Sequence, residues 1–324
     1  MDLTKILTAG TIMVVLAYAY SRLNDSVTEG DLLADYRKLE EYLLNNSSLA
    51  KSNLPILWIH IPHEVNARNW ESFYSRTNDS PNQPYLYLTI KSIIEKCGKD
   101  FNVCLIDDDS FAKILPGWTV DMDRVSDPHK SSIRLLAMLR ILLHYGGAVL
   151  PPSLYCRKSL STAINHFFDE DRFFAADMRN ESVSAENTDV APSLKIMGCK
   201  RNNKECAEFI SYLERIVSQD NTEAIKFEGK ASSYIEKQYR DRSIDLLDAG
   251  ITGTVDASGR LIGIEELLGQ SNIALPLDNH AIYLPTRSIL TRLNYRWFAR
   301  LPVSDVLTSN TFIGVTMMRD SHSD

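Results

Sequence analysis

The chain has 324 residues, 44% of them hydrophobic and 24% charged, a balance ordinary for a globular protein and a length sufficient for a sizeable core. Its formal net charge is −7 and no Lys/Arg-rich run occurs, which argues against nucleic acid as a partner. No repeat or low-complexity tract is visible, and none of the five cysteines, Cys97, Cys104, Cys156, Cys199 and Cys206, forms a C-x-x-C pair, so nothing points to a structural zinc site.

Residues 6–20 read ILTAGTIMVVLAYAY, without a charge, between Lys5 and Arg22. A helix of about 20 apolar residues spans a bilayer. Extending the run to residues 3–23 reaches that length if Lys5 and Arg22 snorkel, with Tyr18 and Tyr20 at the interface. A cleaved signal peptide needs a small-residue cleavage site, and YAYSRLND is a poor one; a buried core helix would show a polar face, and this run has none. Residues 1–24 are therefore expected to be an uncleaved, single-pass membrane anchor. Sequons at Asn45, Asn46, Asn78 and Asn180 are compatible with a luminal body.

Residues 28–44 place Leu32, Leu33, Tyr36, Leu39, Leu43 and Leu44 at helical spacing, with Thr28 and Asp31 as the outline of a capping box. A juxtamembrane helix and linker are expected over 25–54. ILWIHI, at 56–61, has the apolar, β-branched character of a buried parallel strand. The apolar stripe of 85–97 predicts a helix, and FNVCLI, at 101–106, a second strand. That strand runs into Asp107-Asp108-Asp109 and a short helix stopped by Pro116-Gly117. A long helix is expected over 129–145, ending at Gly146-Gly147, where glycine can take the left-handed cap. Residues 148–150 follow as a short strand before Pro151-Pro152.

Strand, helix, strand, helix, strand in this order predicts the α/β class, with a mostly parallel sheet flanked by helices. Farther along, helices are expected at 159–168, 205–217 and 234–247, and a strand at 173–176. Residues 250–263 are glycine-rich and turn-like, 295–298 form an aromatic patch, and 305–324 read as a last strand or helix and a tail. The α/β domain is drawn at 55–310 and a C-terminal tail at 311–324.

Two of these stretches resemble a known family. LPILWIHIP, at 54–62, looks like the opening strand of the glycosyltransferases with a DXD sugar-binding motif, the family of the yeast initiating α-mannosyltransferase. ILLHYGGAVL, at 141–150, resembles that family's Gly-Gly helix end and the strand leading to its metal motif. The resemblance covers roughly residues 54–174 and implies a GT-A fold acting on a nucleotide sugar. In its N-terminal anchor the chain is also similar to divergent glycosyltransferase-like proteins of large DNA viruses, without a shared motif; an endomembrane or a viral membrane is the location this implies.

The departures from the family are chemical. The family places two acids after the Gly-Gly strand to bind the cation that bridges the sugar diphosphate; the corresponding positions here are Pro151 and Ser153. The family's sugar-holding Asp and Arg fall on Leu135 and Met138. The resemblance therefore implies a membrane-anchored, catalytically degenerate domain with a binding or structural role and no cofactor. The alternative is an active glycosyltransferase. It would use Asp107 and Asp109 to hold Mn²⁺ or Mg²⁺, or no metal at all, with Arg134, Arg140 and Lys158 stabilising the leaving diphosphate. Asp107, Asp109, Arg134 and Arg140 are the candidate substrate-binding residues, and the expected partners are the membrane and a nucleotide sugar or glycan.

Each candidate has a plainer role. The acidic triplet sits at a strand's C-terminal end, where α/β ligand sites lie, yet Asp109 or Ser110 would serve equally as a helix N-cap. His60 and His63 lack acidic neighbours in sequence and fit hydrogen-bonded core positions better than a metal pair. Tyr295, Trp297 and Phe298 suit core packing more than sugar stacking. In an oxidising compartment Cys97 with Cys104, and Cys199 with Cys206, could form bridges; buried free thiols are the commoner case.

Overall fold

The computed structural model describes residues 54–61, 83–115, 117–181, 190–218 and 224–321. The expected anchor, the juxtamembrane helix, His63 and the sequons at Asn45, Asn46 and Asn78 lie outside the described residues. Among the described residues, no helix is long and apolar enough to cross a membrane.

The apolar run after Pro55 forms β1 (Ile56–His60), followed by α1 (Tyr85–Cys97), β2 (Asn102–Ile106), α2 (Asp108–Ile114), α3 (Asp127–Tyr145) and β3 (Gly147–Leu150). β1 is the middle of this unit, pairing in parallel with β2 on one side and β3 on the other, with Leu57 opposite both Val103 and Ala148. Leu57, Trp58 and Ile59 are fully buried because helices cover both faces. Strand alternation divides them: Leu57 and Ile59 pack with Ile93, Phe101 and Val103, whereas Ile56 and Trp58 pack with Cys104, Leu139 and Leu142.

The chain continues through β4 (Leu154–Cys156), α4 (Ser161–Asp169), β5 (Phe174–Asp177), β6 (Pro192–Cys199), α5 (Lys204–Val217), α6 (Ala224–Arg240) and β7 (Asp245–Leu247). The main sheet has the order β2-β1-β3-β6-β5-β7. β6 alone runs against its neighbours; the other five strands share one direction. The α/β expectation of a mostly parallel sheet flanked by helices therefore holds. α3, α5 and α6 cover one face, α1 and α4 the other.

The final segment contains α7 (Ile264–Leu268), β8 (Ala281–Tyr283), α8 (Thr286–Thr291), α9 (Val303–Thr308) and α10 (Phe312–Ser321). β8 pairs with β4 in a separate two-stranded antiparallel sheet. Ile264, Leu267, Ile289, Phe298, Val306 and Ile313 close a third apolar cluster against Tyr85 and Ile282.

Several expectations are corrected. The helix expected at 234–247 ends at Arg240, and Asp245–Leu247 is a sheet strand. The positive φ of Arg242, 60°, makes the turn between them. β4 and β6 have no counterpart in the sequence reading. Within 305–324, read as a last strand or helix and a tail, α10 is the helix, and its Phe312, Ile313 and Met317 are buried. Gly146 ends α3 with the positive φ expected of glycine, 73°, but its ψ of −169° lies outside the left-handed helical cap; Trp58 Nε1 donates to its carbonyl at 2.9 Å.

Candidate functional site

The parallel strands β1, β2 and β3 deliver their C-terminal ends, His60, Ile106 and Leu150, to one edge of the sheet, the edge where α/β proteins place ligands. Asp107 leaves β2 in an extended conformation and is the N-cap of α2. Its Oδ1 accepts from the Ser110 backbone N–H at 2.9 Å and from the Ser110 hydroxyl at 2.6 Å. The Asp107 N–H in turn donates to Ser110 Oγ at 3.1 Å, completing a capping box. The N-cap is thus Asp107, two residues before the Asp109 anticipated for that role. Asp109 is exposed in the first turn.

Asp108 is the centre of the site. Arg134, on α3, donates through Nε to Oδ1 at 2.9 Å and through a terminal nitrogen to Oδ2 at 2.7 Å. His60 Nε2 lies 2.9 Å from Oδ1 and must carry the proton to bond an ionised carboxylate. The His60 ring stacks on Phe111 at 5.2 Å and 9°. Side-chain exposures of 12%, 16% and 15% for His60, Asp108 and Arg134 leave the three only partly wetted. Burial pushes the Asp108 carboxyl up, but the bonds and charges of His60 and Arg134 outweigh it and hold the group well below the usual carboxylate range.

The other candidates do not join this cluster. Arg140, six residues along α3, ion-pairs with Glu214 on α5 at 2.5 Å and lies over the Trp118 ring. Lys158 donates to the Leu277 carbonyl at 3.1 Å, near β8. Arg134, Arg140 and Lys158 therefore engage three separate partners and do not converge on one anion. Leu135 and Met138 pack into the core against α3's neighbours. In the aromatic patch, Phe298 is fully buried and Trp297 is 43% exposed.

The turn after β3 is built into the scaffold. Thr89 donates to the Pro152 carbonyl at 2.5 Å. Leu154 N–H returns to Pro151 O at 3.1 Å, and Leu284 N–H donates to Ser153 O at 3.1 Å. Ser153 is 2% exposed. Among the described residues, no group of three or more His, Cys, Asp or Glu is arranged to hold a metal ion.

The pairing of His60, Asp108 and Arg134 is the feature that sequence reasoning missed. Its one available signal is register: parallel pairing sets His60 beside Ile106, so the acid two residues beyond β2 falls next to the β1 terminus. A second buried acid, Asp177, closes β5; it accepts from Arg179 at 3.0 Å and from the Ala191 N–H at 2.8 Å.

The chain matches no known family model and no curated protein. Among solved structures it is similar to mouse xyloside xylosyltransferase 1 in its apo form, with a TM-score of 0.38 and 10% identity over 63% of this chain and 88% of that one. A likeness this slight carries no argument about the site.

Proposed function

We propose that the chain is a membrane-anchored, glycosyltransferase-like protein that no longer performs the family's metal-dependent transfer and serves as a binding or structural module. The two stretches that carry the family resemblance, 54–62 and 141–150, contribute the adjacent strands β1 and β3 at the heart of the sheet, which supports reading them as one motif.

The observation that carries the proposal is the turn after β3. Mn²⁺ and Mg²⁺ take hard oxygen ligands, with carboxylates supplying charge as well as geometry. Pro151 offers no side-chain ligand, and Ser153 is a buried neutral residue whose carbonyl is engaged by Leu284. The acidic triplet does not replace the missing pair readily. Asp107 is committed to capping α2 and Asp108 to Arg134 and His60, which leaves Asp109 as the one exposed acid of the three. In this reading, residues 6–20 hold the domain on a membrane, and any nucleotide sugar or glycan is bound at the strand-end edge without transfer.

The test is calorimetric titration of the protein with a panel of nucleotide sugars, with and without Mn²⁺, alongside an assay for released nucleoside diphosphate. No metal-dependent release is expected. Sustained Mn²⁺-dependent release above the protein-free rate would overturn the proposal.

A further inference from the structure

Away from Asp108, the end of β4, the 272–279 loop before β8 and helix α10 line a cleft of about 350 Å³. One hydrogen bond fixes its place in the fold: Ser159, just after β4, donates to Asp100, which precedes β2, whereas Asp107 and Asp108 follow that strand. The five residues of β2 therefore separate the cleft from the strand-end edge. Three cations line it, Arg157, Lys158 and Arg319, against one acid, Asp320, a local excess of two positive charges in a chain whose net charge is −7. Arg157 is held in place: Nε donates to Asp320 Oδ2 at 3.1 Å, and one terminal nitrogen reaches Asn279 Oδ1 at 3.5 Å. Asn279 is 1% exposed and is itself anchored, donating to the Gly250 and Ala281 carbonyls at 2.9 and 2.8 Å. Among the described residues, the other terminal nitrogen of Arg157 has no partner. Lys158 donates to the Leu277 carbonyl at 3.1 Å, which leaves its ammonium further N–H donors. Ile273, Leu275 and Phe312 supply an apolar wall, and Leu277 lines the cleft while remaining 99% exposed.

We propose that this cleft is a binding site for a small organic phosphate, a phosphomonoester that carries an apolar group. Its volume is that of a small-molecule site, with a few placed polar groups beside an apolar wall. A phosphomonoester carries about 1.5 to 2 negative charges at neutral pH, which matches the local excess; a carboxylate brings only one. The planar donors of Arg157 and Arg319 suit phosphate oxygens, and Lys158 adds a point charge. Asp320 keeps Arg157 positioned and offers the ligand no attraction of its own. The apolar group lies against Ile273, Leu275 and Phe312, and covering Leu277 takes a fully wetted leucine out of water. The site stands apart from the strand-end edge and does not depend on whether sugar transfer occurs there.

The test is calorimetric titration of the full chain in detergent with phenyl phosphate, beside inorganic phosphate and benzoate, which each keep half of the proposed chemistry. Phenyl phosphate should saturate one site and bind more tightly than either. Lys158→Gln and Arg319→Gln, both at exposed side chains, should each weaken it on the order of tenfold through a lost charge-assisted bond, with thermal melts confirming that the variants stay folded. Leu277→Ser should weaken phenyl phosphate and leave the affinity for inorganic phosphate unchanged. The proposal is overturned by the absence of saturable phenyl phosphate binding at millimolar concentration, by benzoate or inorganic phosphate binding equally well, or by an affinity that neither charge substitution alters.

Discussion

Arg134 grips both oxygens of Asp108, with Nε 2.9 Å from one and a terminal nitrogen 2.7 Å from the other, and so ties the start of α2 to α3 at the end of the parallel strands. His60 adds β1 to the same carboxylate. Two-point guanidinium contact in a partly dry setting is stronger than a surface ion pair. Removing the acid takes away the carboxylate that Arg134 and His60 share at the end of β1. Asp108→Ala should therefore cost about 3 kcal/mol, the low end for removing one partner of a buried pair, read as a fall in the urea midpoint at neutral pH.

The same contact predicts a pH dependence. The folded chain holds the Asp108 carboxyl below its ordinary value, so the unfolded chain binds the proton more readily. The stability from this site is fully present above the unfolded carboxyl value of about 4 and is lost as pH falls below it, toward the depressed folded value. The stability difference between wild type and Asp108→Ala should shrink on going from pH 7 to pH 3. An unchanged difference would show that Asp108 acts through packing and not through charge.

The neighbouring acids should behave differently despite their adjacency. Asp107→Ala removes the side-chain half of the capping box, leaving the backbone N–H at 107 to donate to Ser110 Oγ, and should cost about 1 kcal/mol. Asp109→Ala removes an exposed side chain and should stay within about 0.5 kcal/mol. Urea melts of the two variants side by side decide the matter; equal effects would contradict the assigned roles.

Strands β1, β2 and β3 and helix α3 were legible because each is a concentrated apolar run bounded by breakers, Pro55 before the first and Gly146-Gly147 between the last two. β4 and β6 were not. β4 is three residues long, and its partner β8 lies more than a hundred residues away, so no local periodicity marks it. β6 runs through PSLKIMGC, which carries a proline, a lysine and a glycine; its place in the sheet comes from pairing with β3 and β5 on either side. The site was half legible. The acidic triplet stood out, but which of its acids is buried depends on the capping geometry of α2. Arg134 is set against Asp108 by the way α3 packs, and spacing along the chain does not reveal that.

Gly147 is the tightest point of the β1–β3 contact. Its φ is 99°, and a Cβ there would sit 2.1 Å from the Ile56 carbonyl oxygen, a rigid backbone atom. Gly147→Ala should cost roughly 3 kcal/mol or more, since both the backbone conformation and the strand approach must give way. Gly229, within α6, has open space around it, and Gly229→Ala should raise stability by about 1 kcal/mol. Thermal melts of the two variants should therefore move in opposite directions.

The turn after β3 should not accept the family's acid. Ser153→Asp would place a carboxylate in a position that is 2% exposed in the native chain. A buried carboxylate without partners costs more than the roughly 1–3 kcal/mol of a neutral polar group, or takes up a proton instead. The variant should lose stability and gain no Mn²⁺ affinity, measured by thermal melts and by Mn²⁺ titration calorimetry. A Ser153→Asp protein of wild-type stability that binds Mn²⁺ would show that the turn still presents a metal site.

If this domain runs no metal-dependent sugar transfer, Mn²⁺ should produce no turnover of nucleotide sugars. Release of nucleoside diphosphate is measured for the wild type and for the Asp107→Ala and Asp109→Ala variants across a donor panel. All three proteins should stay at the protein-free rate with and without Mn²⁺. Mn²⁺-dependent release by the wild type that either substitution abolishes would contradict it and place a working metal site at the acidic triplet.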